Sequence, residues 1–231
     1  MMIDSLDNPV WGALSSRQAH FNIGGEKLKY FPGDVAPFVG LRNWDEGDLR
    51  ELTENLPADR KFSILLPMPV QLPEGFEIIF STPLYQMICP SPVPYSGKEI
   101  EVRDLTIADV PAMLELTALT KPGPFYERTI EFGNYRGIFF DDKLASMAGD
   151  RMRLEGFTEV SAICTNPAHL GKGLASYMIS KASERIFGEG DIPFLHVRQD
   201  NIRAIEVYKK LGFEVRVEIC FVIFGNRAKR S

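Results

Sequence analysis

A glycine-containing turn between a strand and a helix is the part of this sequence with the clearest chemistry. An apolar, strand-like run from Val160 to Cys164 is followed by an Asn-Pro turn and then by Gly171, Lys172 and Gly173. A helical run begins directly afterwards. The first N–H groups of a helix lack intrahelical partners, and the helix dipole places partial positive charge there. The turn is therefore expected to bind an anion, most often a phosphate.

This turn differs from the two common nucleotide-binding loops. A Walker loop requires Ser or Thr after its lysine, whereas Gly173 follows Lys172. A dinucleotide fingerprint requires its glycines directly after the strand, and here residues 165–170 intervene. A dinucleotide oxidoreductase is therefore disfavoured. A glycine-rich helix entry that binds nothing remains an alternative, because an isolated Gly-x-Gly is a weak motif.

Two stretches of the chain together resemble signatures of the GNAT acyltransferase superfamily. In TNPAHLGKGLA, the residues from Leu170 to Ala175 match the pattern Gln/Arg-x-x-Gly-x-Gly/Ala that opens a helix in that family. The second signature, Asn-x-x-Ala-x-x-x-Tyr-x-x-Leu-Gly-Phe, is met in full from Asn201 to Phe213. The likeness covers about residues 98–231. It is closest to the branch that contains the C-terminal half of glycine N-acyltransferases.

The resemblance implies an α/β protein with a GNAT fold in residues 98–231, in which a mixed, mostly antiparallel sheet is flanked by helices. Three prolines within the segment 90–98 indicate a linker, which makes residues 1–97 a separate N-terminal α/β domain. We expect this domain to shape the acceptor pocket. A degenerate copy of the GNAT fold is one interpretation of it.

The resemblance also implies acetyl-CoA as co-substrate. In relatives, the diphosphate of CoA lies against backbone N–H groups of the turn, which here belong to Leu170, Gly171, Lys172, Gly173, Leu174 and Ala175. Leu170 replaces the usual Gln or Arg of the family, which removes a charge-assisted contact of about 1–3 kcal/mol. We expect Lys172 to compensate for this loss in part.

Further roles follow from the same resemblance. Backbone N–H groups near Ile163, Cys164 and Thr165 are expected to stabilise the thioester oxygen as it becomes negative. Asn201 is expected to orient the CoA chain, and a helix N-cap is its alternative role. Ala204 is small enough to let the pantetheine arm pass.

Direct acyl transfer requires a base for the amine and an acid for the departing thiolate. Tyr208 completes the second signature and is the predicted acid, because a phenol with a pKa near ~10 is protonated at neutral pH. Its alternative is a core aromatic residue. Glu159 is the candidate base, since it precedes Leu170 at the spacing of relatives that use a strand glutamate. Its alternatives are a solvated edge carboxylate and an ion-pair partner.

Hydrophobic periodicity predicts the elements that position these residues. We predict helices over 45–56, 106–119, 174–187 and 201–211, and strands over 62–67, 76–80, 84–89, 100–102, 135–140, 144–153, 160–165, 194–197 and 215–224. Thr106 followed by Asp109 is typical of a helix start. Asp141 and Asp142 indicate the turn of a hairpin.

Composition is typical of an ordinary globular protein, with 45% hydrophobic and 25% charged residues. A net charge of -5 argues against a nucleic-acid partner that needs a basic surface. The three cysteines lie in apolar runs and fit buried thiols in a reducing compartment. No apolar stretch reaches the ~18 residues of a membrane span, and residues 1–11 lack the pattern of a secretory signal. We expect a cytoplasmic monomer or homodimer with no membrane partner.

The predicted function is transfer of an acetyl group from acetyl-CoA to a primary amine of a small molecule or an amino acid. The acceptor pocket is expected to include residues 122–126 together with Trp11 or Phe38. No metal is expected, because the histidines lack partners at metal-ligand spacing. Nothing flanks Cys164 to lower its pKa, so it is not expected to be a nucleophile. A non-catalytic CoA-binding regulatory module, favoured by Leu170, is the alternative.

Overall fold

The computed structural model describes residues 5–227 and contains within them five α-helices and ten β-strands. The helices are α1 (Pro9–Ser15), α2 (Glu46–Asn55), α3 (Val110–Thr120), α4 (Leu174–Gly188) and α5 (Ile202–Lys210). The strands are β1 (Leu28–Tyr30), β2 (Val39–Leu41), β3 (Phe62–Leu66), β4 (Phe76–Ile88), β5 (Arg103–Asp104), β6 (Arg136–Phe140), β7 (Lys143–Leu154), β8 (Phe157–Thr165), β9 (Ile192–Arg198) and β10 (Glu214–Asn226). Across the described residues, each helix is too short or too polar to cross a lipid bilayer.

Eight of these strands form one sheet in the order β3-β10-β4-β9-β8-β7-β6-β5. Neighbouring strands are antiparallel except β8 and β9, which run parallel. The predicted mixed, mostly antiparallel sheet is confirmed. β1 and β2 pair separately. The sheet includes β3 and β4 from before residue 97 together with strands from after it.

Helices cover both faces of the sheet. On β7, Met147 packs into a cluster with Met113 of α3, and the next residue, Ala148, packs into a cluster with Met178 of α4. Because successive side chains of a strand point to opposite faces, α3 and α4 lie on opposite sides of the sheet. The larger cluster, on the α3 side, also contains the apolar face of α1.

Helix starts follow the capping residues that the sequence indicates. The Asp45 side chain accepts a hydrogen bond from the first turn of α2. Thr106 and Asp109 form a reciprocal capping box at the short 3-10 turn that leads into α3. Asn201 accepts a hydrogen bond from the Ala204 N–H at the start of α5, so its N-cap role is confirmed. Each such cap typically contributes ~1 kcal/mol.

The two strands predicted over 76–80 and 84–89 are one strand, β4, and the predicted break is wrong. The intervening residues pair with β10, where Thr82 lies opposite Phe221 and Pro83 opposite Cys220. The Pro83 carbonyl accepts from the Gln199 N–H at 3.4 Å, just beyond the end of β9. Proline is tolerated at this position because the bond on the β9 side uses its carbonyl, so its missing N–H costs no hydrogen bond there.

The strand predicted over 100–102 is also wrong. The chain pairs only at Arg103 and Asp104, which lie opposite Gly137 and Arg136 of β6. Ile100 and Val102 instead pack against the cluster that contains Leu174, Tyr177 and Met178 of α4. The apolar residues of this segment are therefore used to cover a helix.

Candidate active site

The parallel strands β8 and β9 separate part of the way along their length. Their pairing ends where Glu159 lies opposite Phe194. Beyond that point, β8 continues to Thr165 with a partner on its β7 side only. A cavity of about 660 Å³ opens in the gap, lined by β8, the end of β9, the loop after α3 and apolar residues of the N-terminal part. β8 and β9 therefore splay apart at the residues whose N–H groups are expected to stabilise the thioester oxygen.

A β-bulge lies in β8 beside this gap. The register with β7 shifts between the pairs Gly149↔Ser161 and Met147↔Cys164. Within the bulge, Ala162 has φ 51°, in the left-handed region. For a residue with a Cβ this conformation costs about 1–2 kcal/mol. Strain of this kind concentrates at functional sites, where a bulge re-aims backbone groups.

The turn before α4 presents backbone donors that the protein leaves unused. Within residues 5–227, no atom accepts a hydrogen bond from the N–H groups of residues 171–176, and the first helical bond runs from Tyr177 N to Gly173 O at 3.0 Å. Gly171 and Gly173 have φ values of 78° and 77°, which glycine adopts without strain. The Leu170 N–H instead donates to the Pro167 carbonyl at 3.4 Å. The predicted anion-binding amides are thus free from residue 171 onwards.

Side chains with polar groups surround this turn. The ammonium of Lys172 donates to His169 Nδ1 at 3.0 Å and lies 5.1 Å from the centre of the Phe140 ring. The Tyr95 hydroxyl lies 2.8 Å from the position that a Cβ on Gly173 would occupy, so any other residue there would displace it. Tyr95 belongs to the proline-containing segment, which the sequence indicated only as a linker.

Tyr208 lies on α5 and lines the cavity, with 9% of its surface exposed. Its ring packs against Phe213 at 5.9 Å between centroids. No described residue accepts a hydrogen bond from its hydroxyl. Burial raises the pKa of Tyr208 to about 12, so that the hydroxyl is protonated at neutral pH. The group is therefore available as a proton donor to a molecule in the cavity.

Glu159 is fully buried and holds two partners. Arg151 donates from Nε to one carboxylate oxygen at 2.8 Å and from Nη2 to the other at 2.5 Å. His196 Nδ1 donates to the second oxygen at 2.7 Å. Burial by itself would raise the pKa of Glu159, but the charges and hydrogen bonds of Arg151 and His196 lower it below its ordinary value. The ion-pair role that the sequence left open is the one seen here.

The remaining predicted cofactor contacts surround the same gap. Ile163, Cys164, Thr165 and Asn201 line the cavity, whereas Ala204 and Ala175 pack beneath it in the cluster that holds Tyr208. Burial raises the pKa of Cys164 to about 11, so this thiol is not a nucleophile at neutral pH. Among the described residues, no group of His, Cys, Asp or Glu is placed to hold a metal ion, and the three cysteines are free thiols.

The predicted acceptor residues are only partly on the cavity. Phe38 and the loop 121–124 line it. Trp11 lies elsewhere, with the Lys29 ammonium 5.2 Å from its ring. Sequence reasoning missed Arg151 and His196 at this site. Arg151 could have been found as a cross-strand neighbour of Glu159 in the β7–β8 hairpin, but His196 is brought in by the parallel pairing of β9.

Comparisons with known proteins agree with this geometry. Residues 135–222 match a family model described as FR47-like protein. Almost the whole chain matches the crystal structure of a protein from Novosphingobium aromaticivorans DSM 12444, which is described as an acetyltransferase from the GNAT family. The two are 33% identical over 98% of this chain and 100% of that one, with a TM-score of 0.89.

Two further proteins are similar over shorter or more distant alignments. A curated N-alpha-acetyltransferase of Sulfurisphaera tokodaii is 29% identical over 145 residues, which is 52% of this chain and 84% of that protein. A GCN5-related N-acetyltransferase from Kribbella flavida shares the fold, with a TM-score of 0.59 and 16% identity over 95% of this chain and 96% of its own. With the full-length match to the Novosphingobium protein, these findings show that the chain belongs to the GNAT family and is an acetyltransferase.

Proposed function

We propose that this acetyltransferase uses acetyl-CoA and acetylates the primary amine of a small molecule or an amino acid by direct transfer. One observation carries the proposal. Over residues 171–176, at the start of α4, lies a row of N–H groups that have no partner among residues 5–227. This row follows the strand whose free edge borders the cavity that contains Tyr208. A diphosphate bound to these N–H groups would place the thioester of the same coenzyme near Tyr208.

The turn fits the diphosphate in charge and shape. Helix N-termini bind phosphate because their free N–H groups and the helix dipole act together. Gly171 leaves the turn open, since nothing lies within 4 Å of where its Cβ would be, and the Lys172 ammonium adds positive charge at its rim. Acetyl-CoA supplies an acyl group activated as a thioester. The free edge of β8 supplies further donors and acceptors for the amides of its pantetheine arm.

The chain supplies the two other groups that transfer requires. Backbone N–H groups near Ile163, at the bulge, would stabilise the negative charge that develops on the thioester oxygen. The Tyr208 hydroxyl would protonate the leaving thiolate, since its raised pKa keeps it in the acid form. In this proposal the nitrogen–carbon bond forms, the carbon–sulfur bond breaks, and the thiolate takes its proton from Tyr208. The proton that the acylated nitrogen then loses returns through water to the Tyr208 phenolate, which restores its acid form.

Glu159 is better suited to a positioning role than to removal of the amine's proton. Both of its oxygens are engaged by Arg151 and His196, and its lowered pKa makes it a weak base. We assign it the role of fixing Arg151 at the cavity wall. The amine would then lose its proton to water in the open cavity before it attacks the thioester.

Residues 1–97 contribute to the acceptor side of the cavity, which supports their proposed role in shaping the pocket. Phe38, Leu65, Phe80, Thr82 and Leu84 line it from this part of the chain. The likeness to the glycine N-acyltransferase branch belongs to the proposal in the same way, since that branch would also favour an amino-acid acceptor.

Binding of acetyl-CoA can be tested by calorimetric titration with a variant that removes a single donor. Ala175→Pro deletes one unpartnered N–H in the first turn of α4, at the helix position that Pro111 already occupies in α3. Proline is tolerated in a first turn because no intrahelical bond is lost. A charge-assisted hydrogen bond contributes about 1.5–3 kcal/mol, so the affinity should fall by roughly 10–100-fold.

Ala175→Ser is the matched control, because it keeps the N–H and changes the side chain by one atom. Its affinity for acetyl-CoA should equal that of the wild type. Equal affinity in the proline variant, with the fold intact by circular dichroism, would contradict the proposed diphosphate site. Thiol release from acetyl-CoA over a panel of primary amines then tests transfer. Tight binding with no release on any amine would instead support the non-catalytic module.

A further inference from the structure

Arg151 has one nitrogen that is not used by any residue the structure describes. Its Nε and Nη2 donate to Glu159, and no described residue accepts a hydrogen bond from Nη1. Nη1 is not one of the fully buried side-chain atoms that lack a partner. It is therefore accessible, and Arg151 lines the cavity. The side chain is only 13% exposed, and it is one of the residues that line the cavity. Two N–H donors on a fixed cation therefore point into the acceptor side of the site.

The surroundings of Arg151 hold its guanidinium in place. Glu159 fixes two of its nitrogens, and the Phe38 ring lies 5.0 Å from the guanidinium carbon. The loop after α3 passes close by, with Nη1 4.0 Å from where a Cβ on Gly123 would lie. An arginine fixed in this way loses little side-chain entropy when it binds a ligand.

The cavity is more positive than the rest of the protein. Glu159 is the one acidic residue among the described lining residues, and Arg151 and His196 engage both of its oxygens. Lys121 lines the rim, is exposed and has no ion-pair partner among the described residues. This local excess of positive charge lies in a chain whose net charge is -5. An acceptor with several cationic groups would be repelled there, and one with an anionic group would be attracted.

We propose that the acceptor is an amine that also carries a carboxylate, and that Arg151 Nη1 binds this carboxylate, with Lys121 as a second cation at the rim. This inference rests on the proposed function, since it names the substrate class of the same site. Arg151 acts here as a specificity-determining residue. It contacts the acceptor at the end remote from the reacting nitrogen.

Matched acceptor pairs test the proposal on the wild-type protein. β-Alanine is compared with n-propylamine, and γ-aminobutyrate with n-butylamine, so that each pair differs by a carboxylate in place of a methyl group. We expect kcat/KM to be at least about tenfold higher for the carboxylate member of one pair, which corresponds to one charge-assisted hydrogen bond. Acetylation of the amines with no preference for the carboxylate would overturn this inference and leave the proposed function standing. Failure to acetylate any amine would instead overturn the proposed function.

Variants then test the residue. Arg151→Lys keeps a positive partner for Glu159 but cannot present a third nitrogen, so the carboxylate preference should fall at least about fivefold. Arg136→Lys on β6 is the control, because Arg136 forms an exposed pair with Asp104 away from the cavity. Propionate, which has the carboxylate but no amine, should inhibit the wild type competitively against the acceptor and inhibit Arg151→Lys less. An unchanged preference and unchanged inhibition in folded Arg151→Lys would contradict the role of Arg151.

Discussion

Arg151 donates from two nitrogens to the two carboxylate oxygens of Glu159, and this pair is buried where β8 begins to separate from β9. The arrangement connects the sheet to the cavity, because Glu159 is the last residue of β8 that pairs with β9. It also links stability to the shape of the proposed acceptor side. The first two predictions concern this pair.

Glu159→Gln should destabilise the protein by about 3–5 kcal/mol, because it leaves the guanidinium of Arg151 without its counter-charge in a buried position. Urea denaturation measures the change in the free energy of unfolding. Glu131→Gln is the matched control, since Arg128 also donates from Nε and Nη2 to the two oxygens of Glu131, but at the surface. Solvent screens an exposed pair, so the control should change stability little. Equal effects of the two substitutions would contradict the structural importance of the buried pair.

The same pair predicts how stability depends on pH on the acid side. Partners in the fold outweigh the effect of burial and lower the pKa of Glu159 from 4.5 to about 2. A carboxyl group with a lowered pKa stabilises the fold above its unfolded pKa, and this contribution disappears as the pH falls through the folded value. The wild type should therefore lose stability between about pH 4.5 and pH 2. Denaturation of Glu159→Gln over this range should show a shallower dependence, and parallel curves would refute the assignment.

Tyr208→Phe should lower turnover by roughly 100-fold if the hydroxyl protonates the leaving thiolate. The affinity for acetyl-CoA should change much less, because the ring remains in place. Stopped-flow or steady-state thiol release measures the first quantity and titration the second. Tyr177→Phe serves as control, since the Tyr177 hydroxyl donates to Glu99 outside the cavity. Wild-type turnover in Tyr208→Phe would remove this residue from the mechanism.

Leu170→Arg should strengthen binding of acetyl-CoA by about 1 kcal/mol, or roughly fivefold in Kd. Leu170 is 54% exposed beside the turn, so an arginine there has room to reach a phosphate without disturbing the core. Leu170→Met controls for a change of shape without charge and should leave Kd unchanged. A Kd for Leu170→Arg equal to that of the wild type would show that Lys172 already supplies the charge that the turn requires.

Local patterns in the sequence predicted the parts of this fold that local physics decides. Asp45 and Asn201 cap helices where their side chains can reach the first turn, and Asp141 and Asp142 adopt the positive φ values of a tight hairpin turn. Gly173 lies at the helix entrance with its amide free, as its context indicated. Each of these features depends on residues only a few positions apart.

Features that depend on distant pairing could not be obtained in the same way. Pro83 looked like a strand breaker until β10 and the end of β9 defined its surroundings. Glu159 was the candidate base, because nothing near it in sequence reveals that His196 lies beside it. The register of β8 against β9 brings these two together across more than thirty residues. The roles that we propose for Glu159 and Arg151 therefore depend on how the strands of the sheet pair.

The position of β4 in the sheet limits where the chain of this enzyme can be truncated. A polypeptide that starts after residue 88 would lack the strand between β9 and β10, and both would then present unmatched backbone groups along their facing edges. The region that carries the proposed acetyl-CoA turn therefore depends on a segment made earlier on the ribosome. That segment must wait through more than a hundred further residues for its last neighbour, β10, so its edge remains exposed to misassociation until β10 has been synthesised.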